Sequence, residues 1–370
     1  GSIAGVGGAI GLLLGGVLVE VLTWRWVFFI NVPVAAAVLA LTPRVIPESR
    51  AEVRSRGYDA EGAIAITLGT TALVFTLIKA ESWGWGSARN LAGFAVAAAL
   101  IAAFIWIERR QDDPLVPLRI FKNRSLTAAD VTFLLLAAAL FGMFYFCTLY
   151  LQQVLGYSAL KTGVAYLPFS VTLIGASAAA SRLVDRFTPK PVVAAGVVLT
   201  AAGFLFLTGV SGHGDYASHV LPAITIIGAG LGLSFVGVTI AATTGVAPAE
   251  SGLASGLLNT TLQVGGSLGL AILSSVSTSR ITSALDFGSP LPAALTHGFK
   301  GAFVVAAVLC AISLVVALVF MPGRHRRAED EEVETVALSS IRCPGAPYCG
   351  YLARLVAFGR RIRRRPAAPR

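Results

Sequence analysis

The sequence predicts an all-α, polytopic membrane protein with about ten transmembrane helices. Of its 370 residues, 55% are hydrophobic and 13% are charged, and the mean hydropathy is +0.77. Soluble domains usually contain about 25% charged residues, so lipid is the better solvent for most of this chain. A helix of roughly 18 uncharged residues crosses the hydrocarbon core of a bilayer. The ten stretches that predict such helices are residues 3–22, 26–42, 62–79, 91–107, 129–151, 162–181, 191–210, 219–243, 252–276 and 299–321.

The polar links between these stretches predict the orientation of the helices. Fifteen Lys and Arg residues lie in the links 42–60, 108–128, 182–190 and 322–327, whereas the alternate links contain six. Loops rich in Lys and Arg stay on the cytoplasmic side of the membrane. We therefore expect both termini in the cytoplasm, which agrees with an even number of spans.

The net charge of +10 raises the question of a nucleic-acid partner, but most of the excess lies at one end of the chain. Residues 342–370 contain eight Arg and no Asp or Glu. We expect the tail, residues 322–370, to be cytoplasmic and disordered, with a basic amphipathic helix on the membrane surface as the alternative. The sequence therefore predicts no nucleic-acid partner.

Motifs for enzymatic chemistry are missing from the sequence. It contains no GxxxxGK[ST] phosphate-binding loop and no HExxH cluster. We therefore expect neither an enzyme nor an ATP-driven pump, and we expect no cofactor and no metal site.

Two carboxylates within the predicted spans are candidates for proton coupling. Glu20 is near the outer end of the first span, and Asp130 is at the inner start of the fifth. A carboxylate in lipid is costly and by default indicates a functional site. Both residues are close to the ends of their spans, so a carboxylate at a helix boundary is the alternative for each.

Four further residues are candidates for lining a substrate site. Asn259 and Gln263 are four residues apart and share one helical face, where they either line a cavity or bond a neighbouring helix. Tyr145 and Tyr150 belong to an aromatic run in the fifth span, which suits an apolar or cationic ligand. Aromatic residues at helical spacing also occur at lipid-facing or core positions, so that interpretation stays open.

The first two spans resemble a known transporter family. The run GVGGAIGLLLGG at 5–16, followed by TWRWVFFINVPV at 23–34, resembles the fifth and sixth helices of the major facilitator superfamily in its fourteen-span drug:proton antiporter branch. Leu12 stands where the antiporter motif of that branch usually has proline. The glycines in register with the motif are Gly7, Gly11, Gly15 and Gly16. They indicate either tight helix packing or a gating role.

Later segments extend the resemblance over residues 5–321. DPLVPLRIFKNRSL at 113–126 is similar to the connector that precedes the second half of the family's fold. PAESGLASGLLNTTLQVGGSLGLA at 248–271 resembles the family's C-terminal stretch.

The segment SRLVDRFTPK at 181–190 resembles a weakened copy of the superfamily's cytoplasmic loop motif. Asp185 and Arg186 hold its charged positions, whereas Ser181 and Thr188 replace its glycines. The resemblance implies that Asp185 biases the equilibrium between inward-facing and outward-facing states. A cytoplasmic turn that only sets topology is the alternative.

The resemblance implies a major-facilitator-like fold whose N-terminal bundle is incomplete. Residues 1–42 are expected to form the last two helices of that bundle, and residues 43–107 two extra linker helices. We expect a cytoplasmic connector at 108–128, a complete C-terminal six-helix bundle at 129–321, and the tail at 322–370. The family's first four helices, with the intramembrane charges commonly tied to proton coupling, would then be absent.

The function that this resemblance implies is proton-coupled efflux of hydrophobic or cationic drugs or metabolites by alternating access. The expected partners are the lipid bilayer, a small substrate and protons, and no oligomeric state follows from the sequence. The abundance of Arg, Ala and Gly suggests the cell membrane of a bacterium. A truncated, non-transporting membrane remnant or scaffold is the main alternative. A channel agrees less well with the sequence, because rings of charge and a filter-like loop are missing.

Overall fold

The computed structural model describes residues 2–45, 59–111, 114, 116–212, 214–244, 246 and 250–322. These residues form helices, turns and links without β-strands, which confirms the predicted all-α class. The predicted tail, apart from its first residue, and most of the first cytoplasmic link lie outside the described residues. The α-helices are α1 Ser2–Val21, α2 Trp26–Phe29, α3 Asn31–Val45, α4 Ala60–Trp83, α5 Ala88–Glu108, α6 Arg124–Leu149, α7 Ala159–Ala165, α8 Leu167–Arg186, α9 Pro189–Leu207, α10 Leu221–Thr243, α11 Ser251–Asp286 and α12 Leu291–Phe320.

The predicted spans correspond to helical segments of the structure. Nine segments of the described chain are long and apolar enough to cross a membrane, and they match the second to tenth predicted spans. The first predicted span is α1, whose apolar part is the shorter Val6–Val21. The sixth contains α7 and α8, which are interrupted at Tyr166, immediately before the first turn of α8 with its proline. Proline is tolerated there because the backbone N–H groups in the first turn of a helix have no intrahelical acceptor, so a residue without an N–H loses no hydrogen bond.

Side-chain caps start several of the helices at the membrane boundaries. Asn123 Oδ1 accepts hydrogen bonds from the backbone N–H groups of the first turn of α6, at 3.0 and 3.4 Å. Asp59 caps α4 in the same way at 2.8 Å, and Ser87 caps α5 at 3.2 Å. The first N–H groups of a helix have no intrahelical partner, so these oxygens satisfy them.

Six spans, formed by α6 to α12, pack around one hydrophobic core. Its largest fully buried side chains include aromatic rings from α6, α9 and α12, such as Phe146, Phe204 and Phe299. Hydrogen bonds between helices add to this packing, because Ser125 Oγ on α6 donates to the carbonyl of Ala241 on α10 at 2.7 Å. These helices form the frame against which α1 and α4 pack.

The remaining helices differ in how much of their surface is buried. Helix α1 packs against α7 and α8, and α4 packs against α5 and α11. Helix α3 has no buried residue in the described part of the chain. The contact between α4 and α11 is the one that positions the candidate site.

Candidate functional site

A groove of about 640 Å³ lies between α4 and α11. Polar side chains from both helices line it, namely Thr70, Thr71, Asn259, Thr260, Gln263 and Ser267. Its apolar lining consists of Val74, Phe75, Ile78 and Val264. Hydrogen-bonding groups beside an apolar wall are the composition typical of small-molecule sites.

The C-terminal end of α4 is joined to α11 by Trp85, which lies in the link between α4 and α5. The indole Nε1–H of Trp85 donates a hydrogen bond to Ser275 Oγ on α11 at 2.8 Å. Its ring also stacks on Phe94 of α5, with centroids 6.4 Å apart and planes inclined at 18°. The hairpin of α4 and α5 is therefore attached to α11 by a directional contact as well as by packing.

This attachment fixes the register of α4 against α11. The two helices run in the same direction, because six crossings separate the third span from the ninth. Both rise by about 1.5 Å per residue, so counting back from Trp85 and Ser275 places Thr70 near the level of Thr260. Val74 then lies near the level of Val264, closer to Trp85.

Three of the four hydroxyl groups in the groove already donate hydrogen bonds, whereas the hydroxyl of Thr71 has no partner among the described residues. Thr70, Thr260 and Ser267 each donate to the backbone carbonyl four residues earlier, at 2.7, 3.0 and 2.9 Å. The Asn259 amide donates to the carbonyl one turn earlier at 3.4 Å. In the described part of the chain, the side-chain amide of Gln263 has no such partner. The groove therefore presents more free acceptors than free donors.

The predicted substrate-lining residues separate into two pairs. Asn259 and Gln263 are exposed on one face of α11 and line the groove, as their spacing indicated. Tyr150 is buried, and its hydroxyl donates to the carbonyl of Ser211 at 2.8 Å. Tyr145 is partly exposed and packs edge-on against the neighbouring aromatic ring of α6. Neither tyrosine lines the groove, and their role in substrate binding stays a prediction.

Asp130 lies within the first two turns of α6 and points into the helical bundle. Only 8% of its surface is exposed. Neither carboxylate oxygen has a hydrogen-bond partner among the residues that the structure describes. A buried carboxylate without a partner is costly to charge. Asp130 is thus more enclosed than its place near the end of a span suggested.

Glu20 has a different environment. Its side chain is exposed, and Oε2 accepts a hydrogen bond from the backbone N–H of Leu160 at 2.9 Å, in the first turn of α7. Negative charge at a helix N-terminus is favourable. Glu20 therefore has a visible structural role, attaching the C-terminal end of α1 to α7, while a role in proton coupling stays a prediction.

The glycines of α1 also fall into two groups. A Cβ at Gly16 would lie 3.0 Å from the carbonyl oxygen of Ala159, so this glycine permits close contact with α7. At Gly7, Gly11 and Gly15, a Cβ would have no atom within 4 Å. Packing therefore accounts for Gly16 in the described chain, whereas the gating role proposed for the four glycines stays a prediction.

Asp185 and Arg186 form the exposed C-terminal end of α8. The guanidinium carbon of Arg186 lies 5.6 Å from the ring centroid of Phe187, an arrangement favourable for a cation–π contact. The structure thus places both charges at the turn between α8 and α9, and its cytoplasmic side stays a prediction. Their influence on the conformational equilibrium stays a prediction.

A comparison with protein families decides the identity of the fold. The profile described as Major Facilitator Superfamily matches residues 1–270. The chain belongs to the Major Facilitator Superfamily. This membership confirms the family predicted from the sequence and, with the apolar helices, a multi-pass membrane protein. It places the chain in a family of transporters and not of enzymes.

Bacterial members of the superfamily with recorded roles in drug resistance or export resemble this chain. The puromycin resistance protein pur8 of Streptomyces alboniger is 35% identical over 89% of the chain and 67% of its own length. The tetracenomycin C resistance and export protein of Streptomyces glaucescens is 36% identical over 76% of the chain and 52% of its own length. The cephamycin export protein CmcT of Amycolatopsis lactamdurans is 34% identical, with 85% and 64% coverage. The chain thus spans between about half and two thirds of these relatives.

One contact of this superfamily member was not predicted from its sequence. Arg119 Nη2 in the connector lies 2.7 Å from Glu250 Oε1, immediately before α11. Nearby, the Asn123 side chain donates to the carbonyl of Thr244 at 3.2 Å. The only sign of this contact in the sequence was the opposite charge of one residue in the connector and one residue before α11. The Arg119 side chain is 75% exposed, so screening limits the pair to about 1 kcal/mol or less.

Thr70 and Thr71 are the other residues that sequence analysis missed. They lie in a predicted linker helix, where threonine is common and gives no sign of a ligand. Only the packing of α4 against α11 places them opposite Asn259 and Gln263.

Proposed function

We propose that the protein exports small hydrophobic compounds across the bacterial cell membrane by alternating access. The observation that carries this proposal is the groove between α4 and α11, with its polar and apolar lining. The relatives named for resistance to or export of puromycin, tetracenomycin C and cephamycin support the same function. Their printed roles concern those proteins, so the compound exported by this chain is part of the proposal.

The groove is suited to a compound that reaches the protein through the membrane. It lies between two helices that belong to different parts of the expected fold, one linker helix and one helix of the C-terminal bundle. Alternating access changes the contacts between such parts while each helix stays intact. A compound bound between α4 and α11 therefore stabilises some conformations of the pair over others.

Asp130 is the residue that we propose to couple export to protons. A charged carboxylate in its buried position lacks a partner among the described residues, which disfavours the charged form by several kcal/mol. Any conformation that admits water to Asp130 removes much of that cost. Binding of a proton and the conformation of the bundle are thereby linked. Glu20 is the weaker candidate because it is exposed and already bonded to α7.

The proposed orientation places both chain termini in the cytoplasm. It is supported by the Lys and Arg in alternate links. We retain the assignment of 1–42 to an N-terminal bundle, 43–107 to linker helices and 129–321 to a C-terminal bundle. The attachment of α4 and α5 to α11 as a hairpin, and the common core of α6 to α12, support those boundaries.

Everted membrane vesicles containing the protein provide the test of export. Addition of a transported compound should release protons from acidified vesicles, as measured with a fluorescent pH indicator. Asp130→Asn should abolish this release, whereas Glu20→Gln, the matched control carboxylate, should retain it. The proposal fails if no compound in a broad panel of dyes and drugs causes release. Equal release by the Asp130→Asn and natural proteins would remove Asp130 from the coupling step.

A non-transporting membrane scaffold is the second candidate function. It is favoured by α3, which has no buried residue in the described chain and thus presents all its sides to surrounding molecules. A scaffold would insert stably in the membrane and yet give no compound-dependent proton release. The vesicle assay therefore separates the two candidates.

A further inference from the structure

We infer that the groove selects uncharged amphipathic compounds that carry hydroxyl or N–H donors at one end and an apolar ring system at the other. This substrate class presupposes the proposed function, since it concerns the same groove. It is narrower than the hydrophobic or cationic class that the sequence suggested.

The hydroxyl groups of the groove favour ligands that donate hydrogen bonds. A hydroxyl has one donor and two acceptor lone pairs. Thr70, Thr260 and Ser267 use their donors on carbonyls of their own helices. Their lone pairs therefore face the groove, where a ligand O–H or N–H satisfies them and a ligand with acceptors alone does not.

The two side-chain amides of α11 change the excess of free acceptors over free donors only slightly. Asn259 donates weakly to its own helix at 3.4 Å, which leaves its carbonyl oxygen as a further acceptor. Gln263 contributes one free carbonyl and one free NH₂ group within the described chain. The Thr71 hydroxyl also has no partner in the described chain and keeps its own donor. A ligand hydroxyl that both donates and accepts can therefore pair with Gln263 or Thr71, while the remaining groups of the groove chiefly require donors.

Among the residues that the structure describes, those that line the groove carry no charge to balance a cation. None of its ten lining residues is Asp, Glu, Lys or Arg. A cation that leaves water for the groove loses hydration without gaining a carboxylate partner, which is unfavourable in a low-dielectric environment. An uncharged donor has the same hydrogen bonds available at a much smaller desolvation penalty.

The register of the two helices orients the compound. Thr70 and Thr260 lie nearer the cytoplasmic side, whereas Phe75 and Ile78 lie on the outer side of the groove. Ser267 lies near the level of Ile78 by the same count, so acceptors run along the whole α11 side of the groove. The donor end of a ligand therefore faces α11, and its ring system faces Phe75 and Ile78 of α4. A planar ring packs on the Phe75 face of α4 while its hydroxyl reaches α11.

Three probes that share a naphthalene ring system test this selectivity. They are 2,3-dihydroxynaphthalene, which has both donors at one end, its dimethyl ether, which keeps acceptors but has no donor, and trimethyl(2-naphthyl)ammonium. Binding to the purified chain in nanodiscs is measured by naphthalene fluorescence, with protein-free nanodiscs to subtract partition into lipid. We expect the diol to bind about tenfold more tightly than either other probe, from the hydrogen bonds that only it completes.

Matched threonine variants locate the effect in the groove. Thr260→Val removes the acceptor and preserves the shape, so it should weaken diol binding about three- to tenfold and leave the ether unchanged. Thr239→Val is the control, because Thr239 is also exposed and also bonds its own helix, at 2.7 Å, but lies on α10 outside the groove. It should leave binding of all three probes unchanged.

Several results would overturn the inference. They are equal binding of the diol and the ether, tighter binding of the cation, equal losses in the two threonine variants, and binding of none of the probes. The vesicle assay is independent of these measurements. Proton release driven by cationic dyes, together with no preference for the diol, would refute the selectivity and leave export intact. Diol selectivity without proton release for any compound would support the groove chemistry and refute export.

Discussion

Replacement of Gly269 by alanine tests the contact that holds α11, and with it the groove, against the bundle. The added Cβ would collide with the Cα and Cβ of Ala138 on α6 and would lie 2.5 Å from its carbonyl oxygen. Ordinary contacts between heavy atoms are about 3.5–4.0 Å, so the two helices must separate locally by about 1 Å. Gly256, also on α11, is the matched control, because a Cβ there has no atom within 4 Å.

The expected changes in stability have opposite signs. Forcing one extra carbon into a well-packed contact costs about 1–3 kcal/mol. At an exposed helical position with free space, alanine in place of glycine stabilises by about 0.5–1 kcal/mol. Gly269→Ala and Gly256→Ala should therefore differ in free energy of unfolding by about 1.5–4 kcal/mol, although each adds the same methyl group.

Thermal unfolding of the purified protein in detergent measures this difference. One kcal/mol corresponds to a shift of about 2–4 °C in the midpoint for chains of a few hundred residues. Gly269→Ala should thus lower the midpoint by several degrees, and Gly256→Ala should not lower it. Equal midpoints for the two variants would refute the close approach of α11 to α6.

Three further changes have defined outcomes. Trp85→Phe removes the indole hydrogen bond to α11 but keeps an aromatic ring, so we expect a loss of about 0.5–1 kcal/mol in thermal unfolding, and no loss would contradict the attachment. A double-mutant cycle of Arg119→Ala and Glu250→Ala should give a coupling energy below about 1 kcal/mol that decreases with salt; a larger, salt-independent value would mean that the pair is not exposed. In a variant without natural cysteines, a membrane-impermeant thiol reagent should label Gly86→Cys in intact cells but not Arg110→Cys; the reverse pattern would invert the topology.

The spans were predictable from sequence because lipid imposes a simple requirement. A stretch without charge that is long enough to cross the membrane must satisfy its own backbone hydrogen bonds, and a helix does so. The limits of the helices were less predictable. Residues 252–276 were expected to form the ninth span, whereas α11 continues to Asp286. Its C-terminal part is rich in Ser and Thr, so hydropathy falls there although the helix continues.

The candidate site was only half predictable for a related reason. Asn259 and Gln263 share a face because of helical periodicity, which is local, and both line the groove. Thr70 and Thr71 join them through the packing of two helices that are separated by nearly 190 residues, which periodicity does not describe. The same holds for Tyr150, whose aromatic character indicated a ligand contact but whose hydroxyl bonds the backbone after α9.

The hydrogen bond from Trp85 to Ser275 has a geometric consequence for α4. A helix held at one end can pivot about that end, and its displacement then grows with distance from the pivot. Thr70 is fifteen residues from Trp85, or about 22 Å along the helix axis. A tilt of about 5° therefore shifts Thr70 by about 2 Å but hardly moves Trp83. Small rotations of the hairpin widen the end of the groove at Thr70 and leave the end at Ile78 narrow.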